Sequence, residues 1–310
     1  MFLKPKSVLV PNTYAYESGP MVKATGFREY DARWLFEKEI NLMGIQALGM
    51  GLGALIEELG VKQEIVTGHD FRGYSASIKY ALISGLLASG CKVHDIGLAV
   101  TPMAYFAQFD LDVPCVAMVT ASHNPREYNG MKLVGRGAVP LPDADFARIR
   151  SLTEGAGAFD PAPGGAREDR SGVRAGYVAH VARLVGQGIG PLRLVMNAGN
   201  GAAGPTLDAL AEGLAARGAR LDLVRMYHTP DGSFPNGIPN PLLPENRPAT
   251  ARAVTAAGAE FGVAFDGDFD RCFLFDGEGG FVDGEHVVAL LAAAHLAQEP
   301  GATIIHDPRV

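Results

Sequence analysis

Short apolar segments alternate with longer helical stretches along the chain, and this alternation limits the fold more than any other feature. The predicted helices cover 40–59, 75–89 and 101–109, and the predicted strands cover 64–67, 92–96 and 116–120. Strands joined through helices pair in parallel, so their carboxyl ends meet at one edge of the sheet, where ligands collect. Arg72 and Ser122 follow two of these strands. We therefore expect an α/β domain with a mostly parallel sheet.

The second half of the chain repeats this pattern. Its predicted helices cover 173–185, 202–217 and 248–257, and its predicted strands cover 192–196, 221–226 and 261–265. Residues 155–172 are rich in Gly, Ala and Pro and keep no apolar period, which is typical of a linker. A helix and a strand over 302–306 follow residue 281, too little to bury a core. We expect one domain over 1–154, a second over 173–280 and the incomplete start of a third over 281–310.

Charge and cysteine content exclude several classes of protein. The net charge is −7 and the pI about 5.6, which argues against a general nucleic-acid binder because neutralising phosphates needs a basic face. No apolar run approaches the roughly 20 residues of a membrane span. Cys91, Cys115 and Cys272 have no short spacing, so neither a disulfide framework nor a zinc site is indicated. We expect reduced thiols and a cytoplasmic protein.

Ser122 follows the apolar strand 116–120 within the segment 120–125, which reads Thr-Ala-Ser-His-Asn-Pro. Pro125 restricts the backbone of Asn124 and so could hold the serine in one place. A nucleophile and an ordinary loop are both compatible with this pattern. Adjacent side chains on an extended chain point apart, so His123 is predicted to be a poor general base for Ser122.

Asp266, Asp268 and Asp270 stand at alternate positions after the apolar strand 261–265. Three such carboxylates can converge on one hard cation, and a solvated acidic turn is the alternative interpretation. The apolar segments on both sides favour the cation, because buried carboxylates need a compensating charge. Arg271 and Gly277 occupy positions where an EF-hand needs glycine and glutamate, which excludes that motif.

A serine nucleophile and a carboxylate metal site together indicate phosphoryl transfer, in which the protein mainly positions charged groups. Cations that could face an anionic substrate are Arg28, Arg33, Arg72, Lys132 and Arg271. Asn129 and Gly130 are predicted to form a tight turn, after which a strand from Met131 runs back beside the serine strand. Segment 197–201 is predicted to be a strand-to-helix turn, since it lacks the glycine spacing of a dinucleotide site.

Four motifs carry a resemblance to a known family. They cover 27–33, 120–125 with 128–132, 230–236 with 239–242, and 265–272. In this order they resemble the α-D-phosphohexomutase superfamily, and most closely its phosphomannomutase/phosphoglucomutase members. The resemblance implies consecutive three-layer α/β/α domains with mixed, mostly parallel sheets and an active site in the cleft between domains.

The resemblance also implies a role for each matching residue. Ser122 would carry the phosphoryl group, and Asp266, Asp268 and Asp270 with that phosphoserine would bind Mg²⁺. The catalytic residues implied are Ser122, His123, Lys132, Arg33 and Arg271, and the substrate-binding residues are Tyr30, Arg33, Lys132 and Arg271.

The implied reaction interconverts hexose 6-phosphate and hexose 1-phosphate through a hexose 1,6-bisphosphate, with mannose favoured and glucose possible. The hexose phosphate is the expected partner, with neither nucleic acid nor membrane, and the oligomeric state is not readable. Trp34 stands where the family usually has glycine. The family's third-domain Gly-Glu-Met-Ser loop and the Arg-Ser-rich loop of its fourth domain do not occur in these 310 residues. A catalytically incomplete fragment that only binds Mg²⁺ and sugar phosphate is therefore the alternative, ahead of a serine-dependent phosphatase.

Overall fold

The structure is a computed structural model that describes residues 20–28, 31–155, 161–185 and 189–306. It divides into two compact units, Met1–Arg174 and Ala175–Val310. Among the described residues, no helix combines the length and the apolar character needed to cross a membrane.

The first unit contains a six-stranded sheet and four α-helices among its described residues. Its elements are β1 (Asp31–Leu35), α1 (Leu42–Glu58), β2 (Glu64–His69), α2 (Ser75–Ala88), β3 (Lys92–Leu98), α3 (Thr101–Asp110), β4 (Cys115–Val119), β5 (Tyr128–Val134), α4 (Asp143–Glu154) and β6 (Ala166–Asp169). The strand order is β1-β5-β4-β2-β3-β6. The strands β4, β2, β3 and β6 are parallel, and β5 pairs antiparallel with β4 and β1.

Helix α1 shows why the core of this unit forms. Apolar side chains recur at helical spacing and pack against α2, α4 and the sheet, with Ile45, Leu48 and Leu82 in the core. The Asn41 side chain caps the helix by accepting from the Gly44 N–H at 2.7 Å. This core lies under the strands that deliver Ser122.

The second unit contains a five-stranded sheet. Its elements are α5 (Val173–Leu184), which crosses the boundary between the units, β7 (Leu192–Asn197), α6 (Gly204–Ala215), β8 (Leu221–Met226), α7 (Arg247–Ala257), β9 (Phe261–Phe265), β10 (Cys272–Asp276), β11 (Phe281–Val282) and α8 (Gly284–Gln298). The strand order is β11-β10-β9-β7-β8. Strands β8, β7 and β9 are parallel, whereas β10 and β11 are antiparallel additions. The predicted α/β class with mixed sheets is therefore confirmed.

The predicted linker 155–172 contains a strand that the sequence pattern hides. Residues Ala166–Asp169 form β6, which pairs in parallel with β3 at the sheet edge. An ion pair anchors this strand: the Arg167 guanidinium binds the Asp95 carboxylate at 2.8 Å. Charged side chains make the contacts that hold this strand. Its sequence therefore lacks the apolar alternation that usually indicates a strand.

The segment after residue 281 differs from its predicted secondary structure in one place. β11 pairs with β10 and so extends the second sheet, and the expected start of a third domain at 281 stays a prediction. Residues 302–306, predicted to be a strand, are irregular. A strand needs a neighbour to pair its backbone groups, and the side chain of Ile305 is 93% exposed.

Candidate active site

Strand β4 delivers Ser122 to the carboxyl edge of the first sheet. All five residues of β4 are buried, and its direction continues into Thr120, whose N–H donates to the Gly130 carbonyl at 3.0 Å. The chain then turns, because the Asn124 N–H donates to the Ala121 carbonyl at 2.9 Å. Ser122 itself takes the left-handed conformation with a φ of 48°, which is uncommon for a residue other than glycine.

His123 corrects the prediction that its side chain points away from Ser122. Its Nδ1 lies 3.1 Å from Ser122 Oγ, within hydrogen-bond reach. The prediction assumed an extended backbone, whereas the left-handed φ of Ser122 folds the chain back on itself. The imidazole is therefore placed to exchange a proton with the hydroxyl.

Arg33 contacts the same turn from β1. Its guanidinium donates to the Ala121 carbonyl at 3.2 Å and to Oδ1 of Asn124. Asp31, two residues earlier on the same strand, holds the guanidinium through a 2.7 Å bond from Nε. Arg33 thus contacts the serine loop, the segment 120–128 that follows β4, and its role in the reaction stays a prediction.

Lys132 lies in β5, in register with Asp31 of β1 and Met118 of β4, and it is half-buried. Its assignment to the reaction centre stays a prediction. Tyr30 lies outside the described residues, so its predicted role in substrate binding has no structural counterpart here.

Asn129 and Gly130 lie within β5, so the predicted tight turn at these residues is wrong. Gly130 is in register with Arg33 of β1, and a β-carbon at this position would lie 1.8 Å from the carbonyl oxygen of Ala32. The glycine is thus required by the close approach of two strands and not by a turn.

Arg72 was predicted to be one of the cations that could face an anionic substrate. The structure corrects this, because its side chain is buried and only 1% exposed. Its Nε donates to Asp70 at 3.3 Å. Its two Nη atoms donate to the carbonyls of Ser122, Asn124, Pro125 and Tyr128 at 2.7–3.2 Å. All five guanidinium N–H groups are therefore engaged by the serine loop and Asp70.

Asp70 and Thr120 complete the surroundings of the serine loop. Asp70 Oδ2 accepts from the Thr120 hydroxyl at 2.9 Å, and that hydroxyl accepts from the Ser122 N–H at 2.8 Å. The neighbouring His69 binds the Asp70 carbonyl through Nδ1 at 2.8 Å, and burial lowers the pKa of this imidazole. The sequence singled out none of these three contacts, since they depend on which strand ends are neighbours in the sheet.

In the second unit, the loop after β9 brings three carboxylates together. Oxygens of Asp266, Asp268 and Asp270 lie within 4.8 Å of one another. Asp266 and Asp268 are fully buried, and Asp270 is exposed. The predicted clustering of these residues is thus observed within one loop.

Arg271 orients one of these carboxylates. Its Nη2 and Nε donate to Asp266 Oδ2 at 2.8 and 3.2 Å, and its backbone N–H donates to Asp266 Oδ1 at 3.0 Å. The cation therefore compensates part of the buried negative charge. Closely spaced carboxylate oxygens are the ligands that a hard divalent cation prefers, so the donor set fits such an ion.

The turn after β7 supports this carboxylate loop. The Ala202 N–H donates to the Gly267 carbonyl at 3.0 Å, and a β-carbon on Gly201 would lie 2.7 Å from that oxygen. The motif over 230–242 packs on the same turn, where Asn236 donates to Asn200 at 2.8 Å. Segment 197–201 is a strand-to-helix turn, as predicted, and it braces the carboxylate loop.

Two models of one protein family match most of the chain. Residues 24–158 match a family described as phosphoglucomutase/phosphomannomutase, alpha/beta/alpha domain I, and residues 175–280 match domain II of the same family. The curated proteins include a phosphomannomutase of Salmonella typhimurium that is 46% identical over 294 residues, covering 94% of this chain and 63% of that protein. A protein of Xanthomonas campestris named phosphohexose mutases is also 46% identical, over 92% of this chain and 62% of its own length.

A solved structure shows the same similarity in three dimensions. The chain superimposes on a phosphoglucomutase/phosphomannomutase family protein from Burkholderia thailandensis with a TM-score of 0.82 and 31% identity. The match covers 91% of this chain and 61% of that one. The chain therefore spans slightly less than two thirds of the relatives that it matches.

Proposed function

Because the chain belongs to the phosphoglucomutase/phosphomannomutase family of the α-D-phosphohexomutase superfamily, we propose that its protein interconverts hexose 6-phosphate and hexose 1-phosphate. Mannose phosphates are the favoured substrates and glucose phosphates are possible ones. Relatives named phosphomannomutase, at 46% identity, support this preference. The ratio of kcat/KM for mannose 1-phosphate to that for glucose 1-phosphate tests it.

The observation that carries the proposal is the Ser122 hydroxyl in its fixed turn, with His123 Nδ1 at 3.1 Å. In the proposed reaction Ser122 starts as a phosphoserine. The bond between Ser122 Oγ and phosphorus breaks while a sugar hydroxyl forms a new bond to phosphorus, and the hydroxyl proton ends on Ser122 Oγ. The resulting 1,6-bisphosphate then returns its other phosphoryl group to Ser122, and the proton moves in the opposite direction.

The remaining residues of the proposed site act as binding and proton-carrying groups. His123 is within reach to move the serine proton. Arg33 contributes positive charge beside the serine turn. Lys132, Arg271 and Tyr30 are proposed to bind the hexose phosphate, on the strength of the motifs that they belong to.

We further assign the three-carboxylate loop as a Mg²⁺ site with ligands from Asp266, Asp268 and Asp270. When bound, Mg²⁺ would neutralise charge on the transferring phosphoryl group. The expectation that a phosphoserine oxygen from Ser122 adds a further ligand stays a prediction, as does hexose 1,6-bisphosphate as the intermediate.

Ser122→Ala tests the proposed reaction directly. Without the hydroxyl no phosphoserine can form, so we expect turnover to fall by on the order of 10⁴-fold or more. A coupled assay measures the mutase rate, and intact mass spectrometry after incubation with hexose 1,6-bisphosphate measures phosphate uptake. Ser151→Ala removes an exposed hydroxyl from α4 and serves as the matched control.

Two outcomes would contradict the proposal. Unchanged mutase activity in Ser122→Ala, with circular dichroism showing the native fold, would remove Ser122 from the reaction. Mg²⁺ binding at the carboxylate loop without any phosphate uptake by the unaltered protein would indicate a non-catalytic binder of metal and sugar phosphate.

A further inference from the structure

The backbone of Ser122 needs support from its surroundings. A φ of 48° is sparsely populated for residues with a β-carbon, so this conformation persists only where neighbouring groups hold it. Both polar backbone groups of Ser122 are held by buried side chains. Its N–H donates to Thr120 Oγ1 at 2.8 Å, and its carbonyl accepts from Arg72 Nη2 at 3.1 Å.

These two contacts meet at one buried carboxylate. Asp70 Oδ2 accepts from the Thr120 hydroxyl at 2.9 Å and from Arg72 Nε at 3.3 Å. Asp70 Oδ1 accepts from the Ser75 hydroxyl at 2.5 Å and from the Arg72 N–H at 3.1 Å. The Asp70 side chain is 0% exposed, so its four hydrogen bonds compensate its burial.

Arg72 extends the same support along the loop. Besides the Ser122 carbonyl, its guanidinium binds the carbonyls of Asn124 and Pro125 at 2.7 Å each. A planar guanidinium fixes its acceptors in direction as well as in distance. The loop therefore wraps around Arg72, and a shift of this cation would move the loop residues together.

We propose that Asp70, Arg72 and Thr120 are positioning residues for the phosphate-carrying serine. They hold Ser122 by its N–H and its carbonyl, and so direct Oγ toward His123 and the incoming phosphoryl group. The inference rests on the proposed role of Ser122. It concerns the step in which Ser122 Oγ forms its bond to phosphorus, the bond from phosphorus to the sugar oxygen breaks, and the serine proton passes to that sugar oxygen.

Thr120→Val tests the contact to the Ser122 N–H. Valine keeps the shape of threonine and removes the hydroxyl that links Ser122 to Asp70. Because a displacement of about 1 Å can cost about 10²-fold in rate, we expect phosphorylation of Ser122 by hexose 1,6-bisphosphate to slow by about 10- to 100-fold. The apparent affinity for the bisphosphate should stay unchanged, since none of the three residues is proposed to contact it.

Two control variants separate positioning from general packing. Thr120→Ser restores the hydroxyl and should recover the rate to within about threefold. Thr153→Val removes another buried hydroxyl, which bonds the Ile149 carbonyl in α4, and should leave the rate unchanged. If Thr120 had only a structural role, a Thr120→Ser variant with the thermal stability of the unaltered protein would not recover the phosphorylation rate.

Arg72→Lys provides a second and independent variant. Lysine keeps a positive charge beside Asp70, but its three N–H groups cannot serve four carbonyls in the directions of the guanidinium fork. We expect slower phosphorylation of Ser122 and faster amide hydrogen exchange confined to residues 121–128.

The outcomes distinguish this inference from the function on which it rests. If the unaltered protein takes up phosphate at Ser122 and both Thr120→Val and Arg72→Lys match its rate, the positioning role is overturned and the proposed function stands. If the unaltered protein takes up no phosphate at Ser122, both are overturned. A reduced rate in Thr120→Val that Thr120→Ser restores supports the positioning role.

Discussion

At the scale of single residues, Gly130 shows how closely β1 and β5 approach one another. Its missing side chain gives room to the Ala32 carbonyl, which would lie 1.8 Å from a β-carbon. Gly135, just after the same strand, has its nearest such neighbour at 3.5 Å, an ordinary contact. A β-carbon therefore does not fit at position 130, whereas it fits at position 135.

Gly130→Ala should destabilise the protein by about 2–4 kcal/mol, because the backbones of β1 and β5 must move apart. Gly135→Ala is the matched control and should change the free energy of unfolding by less than about 1 kcal/mol. Urea unfolding measures both. Equal stability of the two variants would contradict the close approach of the strands.

The cysteines differ in reactivity because they differ in burial. Burial raises the pKa of Cys91 to about 12 and that of Cys115 to about 11, whereas Cys272 is exposed. Partial burial also raises the pKa of the Cys272 thiol, and the nearby Asp266 charge adds to it. Since the thiolate is the reactive form, the native protein should react at Cys272 first.

A thiol reagent should therefore modify one cysteine in the native protein and three after denaturation. The rate at Cys272 should remain below that of free cysteine, because its pKa is raised. Peptide mapping identifies the labelled site, and Cys272→Ser should abolish the rapid phase. Early modification of Cys91 or Cys115 would show that these thiols are accessible.

The motifs predicted which residues belong to the candidate site, and those roles stay predictions, whereas the contacts between the residues needed the structure. Arg33 and Arg271 could be singled out among the cations because both stand next to motifs with other unusual features in the sequence. The contact between His123 and Ser122 could not, since one backbone angle decides it. Arg72 was grouped with possible substrate-binding cations, because a buried and a surface arginine look alike in a sequence.

At the scale of elements, β6 depends on one buried cluster of charges. Asp95 of β3 binds Lys79 of α2 at 2.5 Å and Arg167 of β6 at 2.8 Å, and the Asp95 and Lys79 side chains are at most 2% exposed. Burial alone would raise the pKa of Asp95, but hydrogen bonds from Lys79, the Gly97 N–H and Arg167 lower it overall. This carboxylate thus joins three elements.

Asp95→Asn should destabilise the protein by about 3–5 kcal/mol, because Lys79 would be left buried without its counter-charge. The folded pKa of Asp95 lies below its unfolded value, so its stabilisation is present above the unfolded pKa and is lost as the pH falls through the folded pKa. Urea unfolding should therefore show a difference between wild type and variant that shrinks with acidification. Asp112→Asn, at the exposed pair with Lys62, is the matched control and should leave the midpoint nearly unchanged.

Most elements could be predicted because their apolar periodicity follows from burial on one face. The strand β9 has its predicted bounds, and α1 and α2 end within a few residues of theirs. Elements held by charge or by pairing alone could not be found in this way. β6 was hidden by its charged residues, and 302–306 was predicted as a strand from apolar content without a partner to pair with.

At the scale of the whole molecule, each of the two units has its own sheet and its own apolar core. The serine loop belongs to the first unit and the three-carboxylate loop to the second. The recurring strand–helix pattern predicted separate domains over 1–154 and 173–280, and these bounds stay a prediction. A ligand of one loop should therefore protect the unit that contains it.

Mg²⁺ added to the dephosphorylated protein should slow amide hydrogen exchange in β9, β10 and the loop between them, and leave the first unit unchanged. At a concentration about 100 times Kd, ligand binding stabilises the site by about 2.7 kcal/mol. Asp268→Asn, within the carboxylate cluster, should abolish this protection. Asp222→Asn, an exposed change in β8, is the control and should retain it. If Mg²⁺ slowed amide exchange equally in both units of the wild-type protein, a metal site confined to the three-carboxylate loop would be contradicted.

The left-handed backbone at Ser122 also limits which amino acids this position can accept. Threonine offers the same hydroxyl, but a β-branched residue at a φ of 48° is a steric outlier. Its extra methyl group would favour reopening of the turn and would carry the hydroxyl away from His123. Asparagine and aspartate tolerate such backbone angles but bring no hydroxyl. Steric selection at the backbone and chemical selection at the side chain therefore both favour serine over threonine, asparagine and aspartate at position 122.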